Sequence, residues 1–121
     1  MELTDSRWKD IYNHLKENNY DVYSPAQHQG QCLKDYVVIA TAESSRFLDY
    51  SSQIIYYDLM LYVPQNLYSE LEVKFKKLKE VMKELETKLL IRYSENDTAP
   101  YYDDSVKGYM ISTQYLIYKK I

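Results

Sequence analysis

His28 and Cys32 stand four residues apart in a polar stretch, a spacing that two ligands of one metal ion can have. A zinc site needs three or four ligands. His14 is the other histidine and Cys32 the one cysteine, so the set is too small. Cys32 with either histidine also has the parts of a thiol nucleophile, which works only where the thiolate is stabilised. Gln31 and Leu33 flank Cys32 in a loop, and Lys34 alone is a weak activator. A small half-buried thiol beside a polar loop histidine is the expected arrangement. Asp103-Asp104 and Glu95/Asp97 offer carboxylates to a hard cation. They lack the alternating ligands of a calcium loop and read as a solvated acidic turn. The chain has no Gly-rich phosphate loop, no G-x-S-x-G and no H-E-x-x-H. No catalytic residue, metal ligand or cofactor is expected, and the chain does not read as an enzyme.

Charge excludes a second class. Fifteen basic and 18 acidic residues leave a net charge of −3. Duplex affinity comes mainly from Lys and Arg neutralising phosphates, so binding by the bulk surface is not expected. Lys74, Lys76, Lys77 and Lys79 are interleaved with glutamates and read as a solvated helix face.

The elements around these residues follow from periodicity. Trp8, Ile11, Tyr12 and Leu15 form the stripe of an amphipathic helix, with Thr4 or Asp5 as its cap and Asn18-Asn19 as its end. A short strand over 20–23 stops at Ser24-Pro25, and residues 25–34 read as an exposed loop. Tyr36 to Ala40 is rich in β-formers and reads as an inner strand. Residues 42–53 form a second polar segment in which Phe47 and Leu48 stand out. From Ile54 to Val63 the pattern alternates. Ile55, Tyr57, Leu59, Leu61 and Val63 should meet the helices, leaving Ile54, Tyr56, Asp58, Met60 and Tyr62 partly accessible.

Pro64 ends that strand, and Ser69 with Glu72 matches a capping box. Leu71, Phe75, Leu78, Met82 and Leu85 give the seam of a second helix reaching about Glu86. Glu70–Lys74 and Glu72–Lys76 face each other at i, i+4 on its wet side. A strand over 89–93, a polar loop over 94–104 and a last strand from Lys107 to Tyr118 complete the chain. The order α-β-β-β-α-β-β predicts an α+β fold, one mostly antiparallel sheet flanked by two helices.

Composition agrees with one ordered domain over residues 1–121. The chain is 45% hydrophobic and 27% charged, with two glycines and three prolines. A lone cysteine suits a reducing compartment. Met1 to Asp5 show no basic segment leading into an apolar run, so neither a leader nor a membrane span is expected, and the cytoplasm is the expected place of synthesis. The 15 tyrosines are unusual. Tyrosine joins a large apolar face to a polar tip and is enriched at interfaces, although many also simply fill sheet faces.

Several short strings in this order resemble the small tail-terminator (tail-completion, head–tail joining) proteins of long-tailed bacteriophages and prophages. They are Val22-Tyr23-x-Pro25, Gly30-x-Cys32, Tyr36-Val37-Val38, Leu61-Tyr62-Val63-Pro64 before the second helix, Asp103-Asp104 and the tyrosine-rich last strand. The resemblance implies a structural virion protein forming a ring, usually of six copies, that caps the tail tube and offers the surface joining tail to head. Implied partners are further copies of the chain, the tail tube protein and a head-completion or connector protein, without sequence-specific nucleic acid or membrane. The implied location is the head–tail interface of the virion, after assembly in the host bacterial cytoplasm. A head-completion or neck protein of the same virion is the alternative within that resemblance.

A ring needs two different patches on each subunit. Aromatic residues on loops are the expected places: Arg46, Phe47, Leu48 and Tyr50 in one segment, Tyr101 and Tyr102 beside Asp103 and Asp104 in the other. Two other classes compete. One is a small ligand-binding domain with a tyrosine-lined concavity on the Tyr56/Met60/Tyr62 face. The other is a toxin–antitoxin or regulatory partner protein, which fits the size but leaves the strings unexplained.

Overall fold

The computed structural model describes residues 7–41, 46–47 and 52–120. The chain runs through helix α1 (Trp8–Glu17), strands β1 (Val22–Tyr23), β2 (Tyr36–Thr41), β3 (Arg46–Phe47) and β4 (Ser52–Pro64), then a 3-10 turn (Gln65–Glu70). Helix α2 (Leu71–Lys88) and strands β5 (Arg92–Tyr93), β6 (Tyr101–Asp103) and β7 (Gly108–Lys120) follow. This is an α+β fold with one mixed, mostly antiparallel sheet of seven strands in the order β1-β2-β4-β7-β5, with β3 on β4 and β6 on β7.

The sheet is organised by β4 and β7, each 13 residues long. They pair antiparallel from Ser52↔Lys120 to Pro64↔Gly108 without a break. Strict alternation along both strands then separates two faces. Ile55, Tyr57, Leu59, Leu61 and Val63 of β4 and Ile111, Tyr115 and Ile117 of β7 are buried in one cluster with Ile11 and Leu15 of α1 and the α2 seam. That seam is Leu71, Phe75, Leu78, Met82 and Leu85, the spacing expected from the sequence. Each such side chain contributes roughly 1.5–3 kcal/mol by leaving water.

Polar contacts fix how α1 lies on the sheet. Trp8 Nε1 donates to the Ile39 carbonyl at 2.9 Å, and the Arg7 amide donates to the Tyr57 hydroxyl at 2.9 Å. His14, buried between the helices, has Nε2 2.8 Å from the Val81 carbonyl. The helix ends at Asn18, whose amide reaches the His14 and Leu15 carbonyls, and Asn19 turns the chain with φ +70°.

Five expectations are corrected. The sheet has seven strands where five were expected, because residues in both polar segments pair at its edges. Arg46 and Phe47 form β3 against Ile54 and Gln53, and β4 begins at Ser52. Tyr101, Tyr102 and Asp103 form β6 on β7 rather than a loop. Ser69 does not cap α2: it lies in the 3-10 turn, whose carbonyls precede the helix, and no side-chain cap bond forms. The strand expected over 89–93 is shortened to Arg92–Tyr93. Leu90 leaves the helix in the left-handed region at φ +58°, so extended pairing starts two residues later.

β1 also pairs parallel with β2, Val22 opposite Val37. Parallel neighbours need a connection that travels back along the sheet. Residues 24–35 make it. The caps expected at Thr4 or Asp5 and the interface candidates Leu48 and Tyr50 lie outside the described residues. Among the described residues no helix is long and apolar enough to cross a membrane.

The seam and the wet face of α2 should respond differently to truncation. Leu78 is fully buried, and Leu78→Ala should cost about 2–5 kcal/mol in chemical denaturation. Val73 is exposed on the same helix, and Val73→Ala should stay within about 0.5 kcal/mol of the parent.

Candidate functional site: the tyrosine-rich end of the sheet

The Pro64/Gly108 end of the long strand pair gathers tyrosines on both faces. On the face away from the helices, Tyr36 of β2 lies opposite Tyr62 of β4, and their rings stack at 4.7 Å. His28, carried back over this face by the β1–β2 connection, stacks on Tyr36 at 3.9 Å. Tyr23 meets both rings edge-on, at 5.0 Å from His28 and 5.5 Å from Tyr36. Cys32, Tyr36 and Val38 form a small second core here, with Met60, Tyr62 and Val106 packed against it.

A close backbone approach makes that core possible. The Cys32 amide donates to the Val106 carbonyl at 2.6 Å, drawing the loop onto the start of β7. A Cβ on Gly108 would stand 2.8 Å from the Val63 carbonyl oxygen and 2.9 Å from Cys32 Cβ. Glycine is the residue that leaves room for both neighbours.

β6 turns tyrosines outward. Tyr101, opposite Met110, belongs to the open face, whereas Tyr102, opposite Tyr109, belongs to the helix side. Tyr102 meets Tyr109 at 5.1 Å and donates from its hydroxyl to Gln65 Oε1 at 2.9 Å. Tyr109 in turn meets Tyr68 of the 3-10 turn at 4.4 Å. Tyr68 is 50% and Tyr101 58% exposed, so rings held in place by their neighbours still present large areas to solvent. The turn after β6 is acidic, as expected. Asp103 Oδ1 accepts from the Ser105 amide and hydroxyl, and Asp104 points into solvent.

The electrostatics of this end oppose acid–base or nucleophilic chemistry. Burial, then the nearby Asp35 carboxylate, pushes the Cys32 thiol up to about 11. Burial raises the Tyr36 phenol far above its ordinary range, with Cys32, Tyr62 and Asp103 adding to the effect. Tyr62 is raised by burial and then by Asp103 and Tyr101. Near neutral pH all three groups keep their protons. A nucleophilic thiol needs the opposite shift.

The sequence-derived candidates thus separate. Tyr101, Tyr102, Asp103 and Asp104 come together at this end, on a paired strand and its turn. Arg46 and Phe47 lie on β3 beside the far part of β4. His28 and Cys32 do meet, but around Tyr36 as packing partners. Among the described residues no group of three His, Cys, Asp or Glu could hold a metal ion. The concavity expected near Tyr62 is occupied by the Tyr36 ring and the loop above it. Tyr68 and Tyr109 were missed. Only the overall number of tyrosines signalled them, because each joins the patch through an edge or turn contact.

Two lysines of the basic run of α2, Lys74 and Lys79, are tied to carboxylates. Lys74 pairs with Asp35 and, at 3.6 Å, with Glu70, as the i, i+4 spacing predicts. Lys79 reaches Asp97 at 2.9 Å. A cleft of about 500 Å³ lies beside Lys74, bounded by Asn18, Tyr20, Asp21 and Asp35. Compared with known proteins, the chain matches no family model and no curated protein.

The thiol gives a direct check. With a value of about 11, about one Cys32 in a thousand is ionised at pH 8. Native protein should therefore react with a disulfide reagent at least about a hundredfold more slowly than protein unfolded in guanidinium. Equal rates in the two states would contradict the buried, protonated thiol.

Proposed function

We propose that the chain is a structural protein of a long-tailed bacteriophage or prophage, a tail terminator that assembles as a ring on the tail tube. In this role it stops tail growth and offers the surface to which the head is joined. The observation that carries the reading is the outward presentation of Tyr101 and Tyr102 on a paired strand, next to Tyr68 and the acidic turn. Rigid aromatic rings with polar tips give contact area at low ordering cost. The resemblance of the ordered strings from Val22 to the last strand supplies the virion context. The high values of Cys32 and Tyr36 favour a binding role over a catalytic one.

The ring is built from copies of the chain, with the tail tube protein on one side and a head-completion or connector protein on the other. It resides at the head–tail interface of the virion after assembly in the host cytoplasm. Six copies is the number the resemblance implies.

Deleting the gene from its parent phage or prophage should give tails of uncontrolled length that do not join heads, scored by electron microscopy. Normal-length tails that stay unjoined would transfer the role to a head-completion protein. Normal-length tails on heads would overturn both. Phe47→Ala with Tyr101→Ala should reproduce the deletion while the chain still folds.

A second expectation follows from charge. A ring that DNA traverses without being read works best if duplex does not adhere to it, and a net charge of −3 suits that passage. The protein should show no salt-sensitive duplex binding at physiological ionic strength. Micromolar binding that weakens steeply with added salt would contradict the assignment.

A further inference from the structure

A single row of side chains crosses the open face near its Gly108 end. Tyr101 of β6 lies opposite Met110 of β7, Met110 opposite Tyr62 of β4, and Tyr62 opposite Tyr36 of β2. Tyr62 and Tyr36 stand on neighbouring strands and stack at 4.7 Å. Met110 interrupts the series. Strands two places apart are separated by about 9.6 Å, beyond the roughly 4.5–7 Å of a ring pair. Between Tyr62 and Tyr101 there is therefore width for one further planar group, above the flexible thioether of Met110. The gap opens to solvent, since Tyr101 is 58% exposed and Tyr62 and Met110 are partly exposed.

A carboxylate stands at its rim. Asp103 follows Tyr101 by two residues on β6, so it shares that face roughly 7 Å along the strand. Oδ1 of Asp103 accepts from the Ser105 amide at 3.0 Å and from its hydroxyl at 2.6 Å. Oδ2 has no partner among the described residues, and Lys107, the nearby cation, turns to Asp104 at 3.9 Å. The Asp103 charge reaches the row. After burial it is the largest cause that raises the Tyr62 phenol, and it adds to the rise at Tyr36. No cation offsets it at either ring.

Elsewhere the chain satisfies the same combination of ring and carboxylate from within. Lys79 Nζ lies 5.5 Å from the centre of the Tyr93 ring and 4.6 Å from that of Phe75, and it donates to Asp97 at 2.9 Å. The Arg92 guanidinium sits 5.4 Å from the centre of the Tyr118 ring. Tyr101, Tyr62 and Asp103 offer the ring faces and the carboxylate without the cation. We propose that the gap over Met110, between Tyr62 and Tyr101 and beside Asp103, binds a guanidinium group, that of an arginine side chain presented by a ligand or partner. Guanidinium is planar and weakly hydrated, so it stacks on a phenol while its N–H groups reach a carboxylate. An ammonium is compact and strongly hydrated and gains less from a flat gap. The site stands apart from the tail-terminator reading, since it concerns binding chemistry and a failed gene deletion leaves it standing.

NMR of the full chain, following the Met110 methyl and the Tyr101 ring, tests it with N-acetyl-arginine amide. The citrulline analogue, of the same shape without the charge, is the comparison. Arginine amide should give saturable shifts at both residues with Kd on the order of 10 mM, and the citrulline analogue none. Asp103→Asn keeps an acceptor for Ser105 and removes the charge, so it should weaken binding about fivefold. Tyr101→Ala should weaken it about threefold, whereas Tyr101→Phe keeps the ring face and should stay within about twofold. Asp104→Asn, in the same turn but paired with Lys107, should also stay within about twofold. Equal shifts from the citrulline analogue overturn the site, as does parental affinity in Asp103→Asn or the absence of any saturable shift. Tighter binding of tetramethylammonium at the same residues overturns the choice of guanidinium. The comparison of the two analogues uses the unaltered chain, so it decides the matter even where a variant fails to fold.

Discussion

Ser52–Pro64 and Gly108–Lys120 pair residue for residue along their whole length, and that unbroken register determines what each side of the sheet can do. A slip of one residue would turn Tyr57, Leu59, Leu61, Ile111 and Tyr115 to solvent and bring Asp58 and Gln114 into the core. The helices hold the register from one side through the α2 seam. From the other side Gly108 permits Cys32 and the Val63 carbonyl to close in on β7. The tyrosine cluster inherits its position from this pair, since Tyr36, Tyr68 and Tyr102 each meet a ring on β4 or β7.

The elements on the flanks of the pair are short and irregular, and their irregularity has a use. Ten residues from Arg92 to Tyr101 run beside only seven of β7, from Leu116 to Met110, so three residues bulge out of register. Within that stretch the Ser94 and Thr98 amides still donate to β7 carbonyls, at 3.0 and 2.9 Å. Asp97 fixes the bulge to α2. Burial alone would raise its carboxyl, but hydrogen bonds from Tyr93 and Lys79 outweigh that and hold it below its ordinary value. Its contribution to stability is therefore present above the ordinary carboxylate range and fades as acid protonates it.

Periodicity made the central layers legible before any coordinates. The alternation from Ile55 to Val63, the stripe from Trp8 to Leu15 and the spacing from Leu71 to Leu85 each encode a buried face within one local segment. What stayed hidden depends on distant partners. Tyr101-Tyr102-Asp103 follows a proline and reads as loop, yet it is a strand because β7 supplies hydrogen bonds to it. β1 is two residues long and exists only against β2. Ser69 and Glu72 satisfy a capping pattern, but burial of Leu71 and the preceding 3-10 turn decide where the helix begins. Of the candidate site, the four residues from Tyr101 to Asp104 were legible as types. Their joining with Tyr68 and Tyr109 required the sheet.

Edge protection bears on what the sheet can pair with. An exposed strand edge invites indiscriminate backbone pairing, and proteins blunt it with short strands, bulges and proline. Here β1 and β5 have two residues each and β6 three, with Pro100 immediately before β6 and a three-residue bulge upstream. Backbone addition at these edges would gain few hydrogen bonds. The large exposed rings stand on both sides of the sheet, Tyr101 and Tyr118 on the open face and Tyr102 with Tyr68 on the helix side. Tyrosine suits such positions. Its ring packs as a hydrophobe, and its hydroxyl keeps an acceptor such as Gln65 Oε1. The phenols at the Tyr36–Tyr62 end stay protonated near neutral pH, so the rings add contact without adding charge to an already acidic turn.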